Sequence, residues 1–250
     1  MKYKINKKRI FIASIIFLFV FILLFFPRDT YLQLNVPGIK HISAFIKEKT
    51  KTKDIYKYFD FSEQQGFSGW KNKTFKGKSA YTMGEKDGDR FLDCKSKNTS
   101  SAFYQLVSYD SRKYPFLTWA WRPVKFPSKH GVTDAKLLDD YALRVEVMFA
   151  SGFFTNYKCI EYVWDEKIKI GTKMASPYSD KIVQLVVGSG QAPETWVIVT
   201  RNIFEDYISL FGEKPDFSVR AIAVMCDSEG TKDSSEGNIK EIKISSKELQ

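Results

Sequence analysis

The chain is poor in the residues from which most catalytic and metal centres are built. Its 250 residues include only three cysteines and two histidines. Cys94, Cys159 and Cys226 form no C-x-x-C pair, and an odd number cannot all pair within one molecule. Outside the cytoplasm one disulfide could close and leave one thiol. Each of the three falls in a strand-like run, where cysteine behaves as a small buried hydrophobe, so burial is favoured over redox chemistry. His41 and His130 stand far apart, and there is no H-E-x-x-H, no G-x-S-x-G and no phosphate loop. Internal repeats and low-complexity tracts are missing too. No arginine-rich helix or aromatic-studded basic stripe supports nucleic-acid binding. Nothing in the residues therefore argues for catalysis, and no nucleic acid is expected as a partner.

Charge is plentiful and unevenly placed. The formal net charge is +10, and five of the positive residues are Lys2, Lys4, Lys7, Lys8 and Arg9. They precede residues 10–26, IFIASIIFLFVFILLFF, which carry no charge at all. At ~1.5 Å rise per residue this run reaches roughly across a thin hydrocarbon core. No small-x-small cleavage site follows it, which favours a retained signal anchor over a removed signal peptide. The expected organisation is a cytoplasmic tail at 1–9, a transmembrane anchor at 10–26, a juxtamembrane linker at 27–53 and one domain at 54–250. Basic residues before the span keep the tail in the cytoplasm and send the domain to the periplasm or cell exterior. In the linker, Ile39, Ile42, Phe45 and Ile46 have helical spacing among lysines. That suits an amphipathic helix on the membrane surface, and equally a helix packed on the domain or a solvated spacer. Sequons occur at Asn72 and Asn98.

From Asp54 onward, short apolar and aromatic runs alternate with Gly, Asp, Asn, Ser and Pro. Aromatics make up 16% of the chain, which favours bulky strand interiors over helices. Strands are predicted at 55–61, 79–83, 90–94, 102–108, 117–122, 141–149, 159–164, 181–187, 195–201, 219–226 and 239–244. Strands this frequent predict an all-β sandwich. One helix interrupts them: Asn202 can cap it, Ile203, Phe204, Tyr207, Ile208 and Phe211 form its stripe, and Gly212 ends it.

The clearest strand signal is DDYALRVEVMFA at 139–150. Tyr141, Leu143, Val145, Val147 and Phe149 alternate with Ala142, Arg144, Glu146 and Met148, so the first set should face a core. The second set carries Arg144 and Glu146, which must meet water, each other or a ligand. Trp119 and Trp121 leave Arg122 on their opposite face. Ile160, Tyr162 and Trp164 leave Glu161 and Asp165 opposite, and Arg201 ends another strand. If these strands are neighbours, Arg122, Arg144, Glu146, Glu161 and Arg201 converge on one side of a sheet. Such a set could recognise a glycan or an anionic group, because Arg binds planar anions bidentately and carboxylates accept sugar hydroxyls. It could equally be a structural ladder of ion pairs.

Several stretches in order carry a family resemblance: Trp119-Ala120-Trp121-Arg122, Asp139 to Val145, Glu161-Tyr162-Val163-Trp164, Ser176-Pro177-Tyr178, Val187 to Gly190, Trp196, Arg201-Asn202-Ile203 with Asp206, and Phe211-Gly212. The chain resembles the bacterial domain of unknown function 3047 family from about Phe116 to Ile244, and weakly back to Asp60. Family members show W-R-W-R, D-D-Y-A-x-R-V and N-Y-V-W strands and a late M-T-D-T-D-N-T segment. Here Ala120 replaces an Arg and Glu161 an Asn, and the late segment keeps Met225, Asp227 and Thr231. The resemblance implies a galactose-binding-type jelly roll, a two-sheet sandwich, and brings no assigned activity. Jelly rolls of this kind sometimes carry structural calcium, and the carboxylates of Asp139 with Asp140 and Asp227 with Glu229 are the candidates for it.

The expected function is a membrane-anchored, noncatalytic binding domain that recognises a glycan or another envelope component. The alternatives are an envelope glycan hydrolase, for which Glu146 and Glu161 would be the carboxylate pair, and an assembly factor that docks an envelope protein.

Overall fold

The computed structural model describes residues 54–61, 66–151 and 156–248. The expected tail, anchor and linker at 1–53 lie outside the described residues. Among the described residues no helix is long and apolar enough to cross a membrane. A compact unit spans Asp54–Gln250.

That unit is an all-β sandwich with one short helix. The strands are β1 (Ile55–Phe59), β2 (Trp70–Lys76), β3 (Ala80–Lys86), β4 (Asp89–Lys97), β5 (Ser100–Tyr109), β6 (Phe116–Lys125), β7 (Arg144–Ala150), β8 (Tyr157–Asp165), β9 (Lys173–Ser176), β10 (Ser179–Ser189), β11 (Val197–Asn202), β12 (Val219–Asp227) and β13 (Ser234–Ser245). The helix α1 covers Ile203–Phe211. One sheet runs β11-β6-β13-β4-β3, with β1 also paired to β13. The other runs β2-β5-β12-β7-β8-β10-β9. All pairings are antiparallel except β8 with β10, whose connection runs through β9 and returns β10 in the direction of β8.

Alternation along each strand explains the two layers. Trp119 and Trp121 of β6 point inward and meet Tyr162 and Trp164 of β8 from the facing sheet. Ring centroids lie 5.3 Å apart for Trp119–Tyr162 and 5.8 Å for Trp121–Trp164. Val145, Val147 and Phe149 of β7 and Ile222, Val224 and Cys226 of β12 complete this buried layer. The three cysteines are buried and free, as their strand positions imply. The sheets approach closely where Gly237 faces Leu143: a Cβ there would lie 2.3 Å from the Leu143 Cγ.

The structure departs from the expected strands in three places. Strand β2 was not foreseen, because Trp70–Lys76 forms an exposed sheet edge with no apolar alternation beyond Trp70. Strand β9 was missed because it has only four residues. Finally, β7 begins at Arg144 rather than Tyr141. Leu143 reaches the core as expected, but Tyr141 packs with Val163 and Val186 on the outer face. A bend at Ala142 breaks the alternation, and Tyr141 is fixed there by its own N–H donating to Asp227 Oδ1 at 3.0 Å.

Candidate functional site

Outward-facing residues of β7, β8, β10 and β12 meet beneath the 126–143 segment that joins β6 to β7. Register places Glu146 opposite Glu161, and Glu161 in turn opposite Gln184. Arg144, two residues before Glu146, shares its face. The guanidinium of Arg144 is 2% exposed and lies among carboxylates. Its Nη1 donates to Glu161 Oε2 at 3.0 Å and stands 3.7 Å from Asp139 Oδ2. Its Nη2 donates to the Asp139 carbonyl at 2.8 Å and to the Asp227 carboxylate. Gln184 Nε2 donates to Asp139 Oδ1 at 2.6 Å and to Glu161 Oε2 at 2.8 Å, while Tyr141 Oη donates to Gln184 Oε1 at 3.1 Å.

This network carries more negative charge than positive. Burial alone would weaken protonation of Arg144, but Asp227, Asp139, Glu161 and Glu146 around it hold its pKa well above the usual value. Glu146 is half-buried and has no hydrogen bond or ion pair among the described residues. Burial, then the charge of Glu161, push its carboxyl up to about 8, against the pull of Arg144. Burial also raises Glu161, opposed by Arg144 and by the Gln184 amide. Asp227 is raised well above the carboxylate range by burial, against the same guanidinium.

Of the five expected site residues, the structure therefore brings together Arg144, Glu146 and Glu161. It separates Arg122 and Arg201, which stand on the other sheet, so convergence of all five on one side of a sheet is corrected. Arg122 donates to Asn238 Oδ1 at 2.9 Å and stacks 5.1 Å over the Trp196 ring. Arg201 holds Asp206 of α1 bidentately, and Tyr162 Oη donates to Asp206 at 2.8 Å, which fastens the helix to the sandwich. Arg144 and Glu161 offer little surface to a ligand.

The calcium candidates are brought together in part. Oxygens of Asp140, Asp227 and Glu229 lie within 4.8 Å of one another. Asp140, however, already accepts from the Gly230 and Thr231 amides and the Thr231 hydroxyl, at 3.3, 2.7 and 2.7 Å. Asp227 is occupied by Arg144 and Tyr141. Glu229 Oε2 is buried without a hydrogen-bond partner among the described residues, but calcium takes six to eight oxygens, and with Asp140 and Asp227 occupied the set fits a hydrogen-bonded loop closure better than a calcium cage.

Two contiguous clefts open beside the network. The first, about 240 Å³, is lined by Phe126, Lys129, His130, Asp140, Tyr141, Trp164, Asp165 and neighbours. The second, about 400 Å³, is lined by Leu138, Asp139, Ile168, Met174, Ala175, Pro177, Gln184 and others. Lys129, Tyr141, Asp165 and Lys167 line both. Lys129 Nζ pairs with Asp165 Oδ2 at 2.9 Å and lies 4.2 Å above the Tyr141 ring. Asp165 Oδ1 accepts the Lys167 and Ile168 amides. Burial alone would raise the Asp165 carboxyl, but Lys129 and those amides outweigh it and hold the pKa low. Sequence reasoning missed Lys129, Gln184 and Tyr141 as cleft residues. Gln184 carried a signal, being the lone polar residue in the apolar run IVQLVV.

Fold and site define a two-sheet β-sandwich with a polar cleft beside a buried ion network on one outer face. By sequence, the family described as "Protein of unknown function (DUF3047)" matches residues 68–243, and the chain belongs to that family. The stretches that carried the resemblance meet in space, since Asp140, Tyr141 and Arg144 bond to Thr231, Asp227 and Glu161. No curated protein matches the chain. Among solved structures, the chain is similar to a family 11 carbohydrate-binding module of a Clostridium thermocellum cellulosomal cellulase. That pair shares 9% identity and a TM-score of 0.40 over 78% of this chain and 98% of that one. A family 30 carbohydrate-binding module of a C. thermocellum cellulosomal cellulase gives 10% identity and a TM-score of 0.41 over 72% and 93%. An endoglucanase from Rhodothermus marinus gives 9% and 0.42 over 75% and 96%.

Proposed function

We propose that this protein is a membrane-anchored, extracytoplasmic glycan-binding domain of jelly-roll type, and that its ligand seats in the cleft between Lys129, Tyr141, Trp164 and Asp165. The observation that carries this reading is the convergence of a cation and an ionised carboxylate in one concave site walled by Tyr141 and Trp164, both largely buried. Carboxylate and ammonium groups match the donor and acceptor pattern of sugar hydroxyls. Of the residues first expected to bind, Arg144 and Glu161 act in this reading from beneath, by fixing Asp139 and Gln184 in the cleft wall. The anchor at 10–26 places the domain outside the cytoplasm, facing envelope polymers.

Nothing in the geometry favours hydrolysis at Glu146 and Glu161. Glu161 is buried and already accepts from Arg144 and Gln184, whereas glycoside cleavage needs two carboxyl groups that reach the bond.

The test is a glycan-array screen with the full chain held in amphipol, alongside Lys129→Met and His130→Ala. A specific hit weakened about tenfold by Lys129→Met, roughly 1.4 kcal/mol, is the expected result. A folded protein that binds no glycan overturns the proposal.

A further inference from the structure

The second cleft differs in chemistry from the first. Ala135, Leu138, Ile168, Met174, Ala175 and Pro177 supply half of its lining residues; Lys129, Asp165 and Lys167 lie where it meets the first cleft, and Asp139 and Gln184 line it as well. Large apolar side chains stay exposed next to these lining positions: Leu137 at 41%, Ile170 at 58% and Tyr178 at 59%. Tyr178 Oη donates to the Lys136 carbonyl at 2.9 Å, so the β9–β10 turn is tied to the 126–143 segment. A free sugar has no use for such a wall. A cleft of this size, with an aliphatic stretch beside convergent polar groups, has the form of a small-molecule site.

We infer that the two clefts together take an amphiphile, with its sugar head between Lys129 and Asp165 and its alkyl or acyl chain along Leu138, Ile168 and Met174. The ligand is then an acylated glycan or glycolipid rather than a bare polysaccharide. This inference rests on the glycan reading for the head and on the apolar wall alone for the tail. The four residues lining both clefts make the path from head to tail continuous.

The probe is dodecyl maltoside brominated in mid-chain, used below its micelle concentration with the full chain in amphipol. Bromine quenches tryptophan on contact, and Trp164 lines the adjoining cleft. Brominated laurate serves as a headless probe and maltose as a tailless competitor. On the edge strand β9, Met174 lies opposite Gln184, shares its outward face and is half-buried in the cleft wall, so Met174→Trp fills the cleft, whereas Ala175 projects to the other face.

Saturable quenching in the native protein is expected, with apparent affinity at least tenfold weaker in Met174→Trp and no such drop in any array-positive sugar. Equal, non-saturating quenching in both proteins overturns the inference. An array hit that gains nothing from an added alkyl chain overturns the tail site and leaves the glycan reading standing. Saturable laurate quenching, blocked by Met174→Trp, beside a blank glycan array overturns the glycan reading and leaves the tail site standing.

Discussion

Arg144 is the one guanidinium among the buried carboxylates of its network, and its loss would strand Asp139, Glu161 and Asp227 without a counter-charge. Removing one partner of a buried ion pair typically costs about 3–5 kcal/mol. Arg144→Ala should therefore lower the urea midpoint severely, whereas Arg122→Ala, which loses a hydrogen bond and a cation–π contact, should cost about 1 kcal/mol. Equal effects would show that Arg144 is not the centre of the network. Glu146 gives a pH signature. Its folded pKa of about 8 exceeds the model-peptide value of 4.5, so the native state holds the proton more tightly than the unfolded chain. Stability from this group is complete below pH 4.5 and declines as pH rises to 8, by up to ~1.4 kcal/mol per unit. Glu146→Gln should raise Tm relative to the native protein at pH 8.5, and the gap should close by pH 5. A gap independent of pH would sink the assignment. Period-two alternation made the outward placement of Arg144, Glu146 and Glu161 legible in the sequence. It could not tell which sheet each strand joins, and for that reason Arg122 and Arg201 were grouped with them.

At the scale of elements, α1 was legible throughout because local chemistry writes both its ends. Asn202 Oδ1 accepts the Glu205 amide at 3.2 Å, and Gly212 closes the helix in the left-handed region at φ 74°. Glu205 and Asp206 lie in its first turn, where they complement the helix dipole. Asn202→Ala should cost about 1 kcal/mol in thermal or urea unfolding, and Asn202→Gly much less. Strands β2 and β9 escaped because edge strands bury too little to impose an apolar pattern. The clefts escaped for another reason. Their walls come from the 126–143 segment, the β8–β9 connection and β10, which no local pattern links.

Across the whole molecule, charge divides sharply. Of the 39 Lys and Arg, eleven precede residue 54, against two of the 29 Asp and Glu, so the domain holds 28 basic and 27 acidic residues and is close to neutral. Nearly all the net positive charge belongs to the tail and linker on either side of the proposed anchor, where it can meet anionic headgroups. The full chain should sediment with membranes and resist carbonate extraction. External protease should digest the domain in spheroplasts and leave the first nine residues protected. A chain released by carbonate would overturn the anchor.

The two ends of the domain meet at one corner. Asp54 accepts the Ser246 amide at 2.8 Å and pairs with Lys247 at 2.9 Å, while β1 pairs antiparallel with the end of β13, from Ile242 to Ser245. The chain path is therefore a nearly closed ring, cut once. It can be joined across Asp54 and Lys247 by a short linker and reopened at the Asp87–Gly88 turn, which makes the fold a candidate for circular permutation or for insertion whole into a host loop.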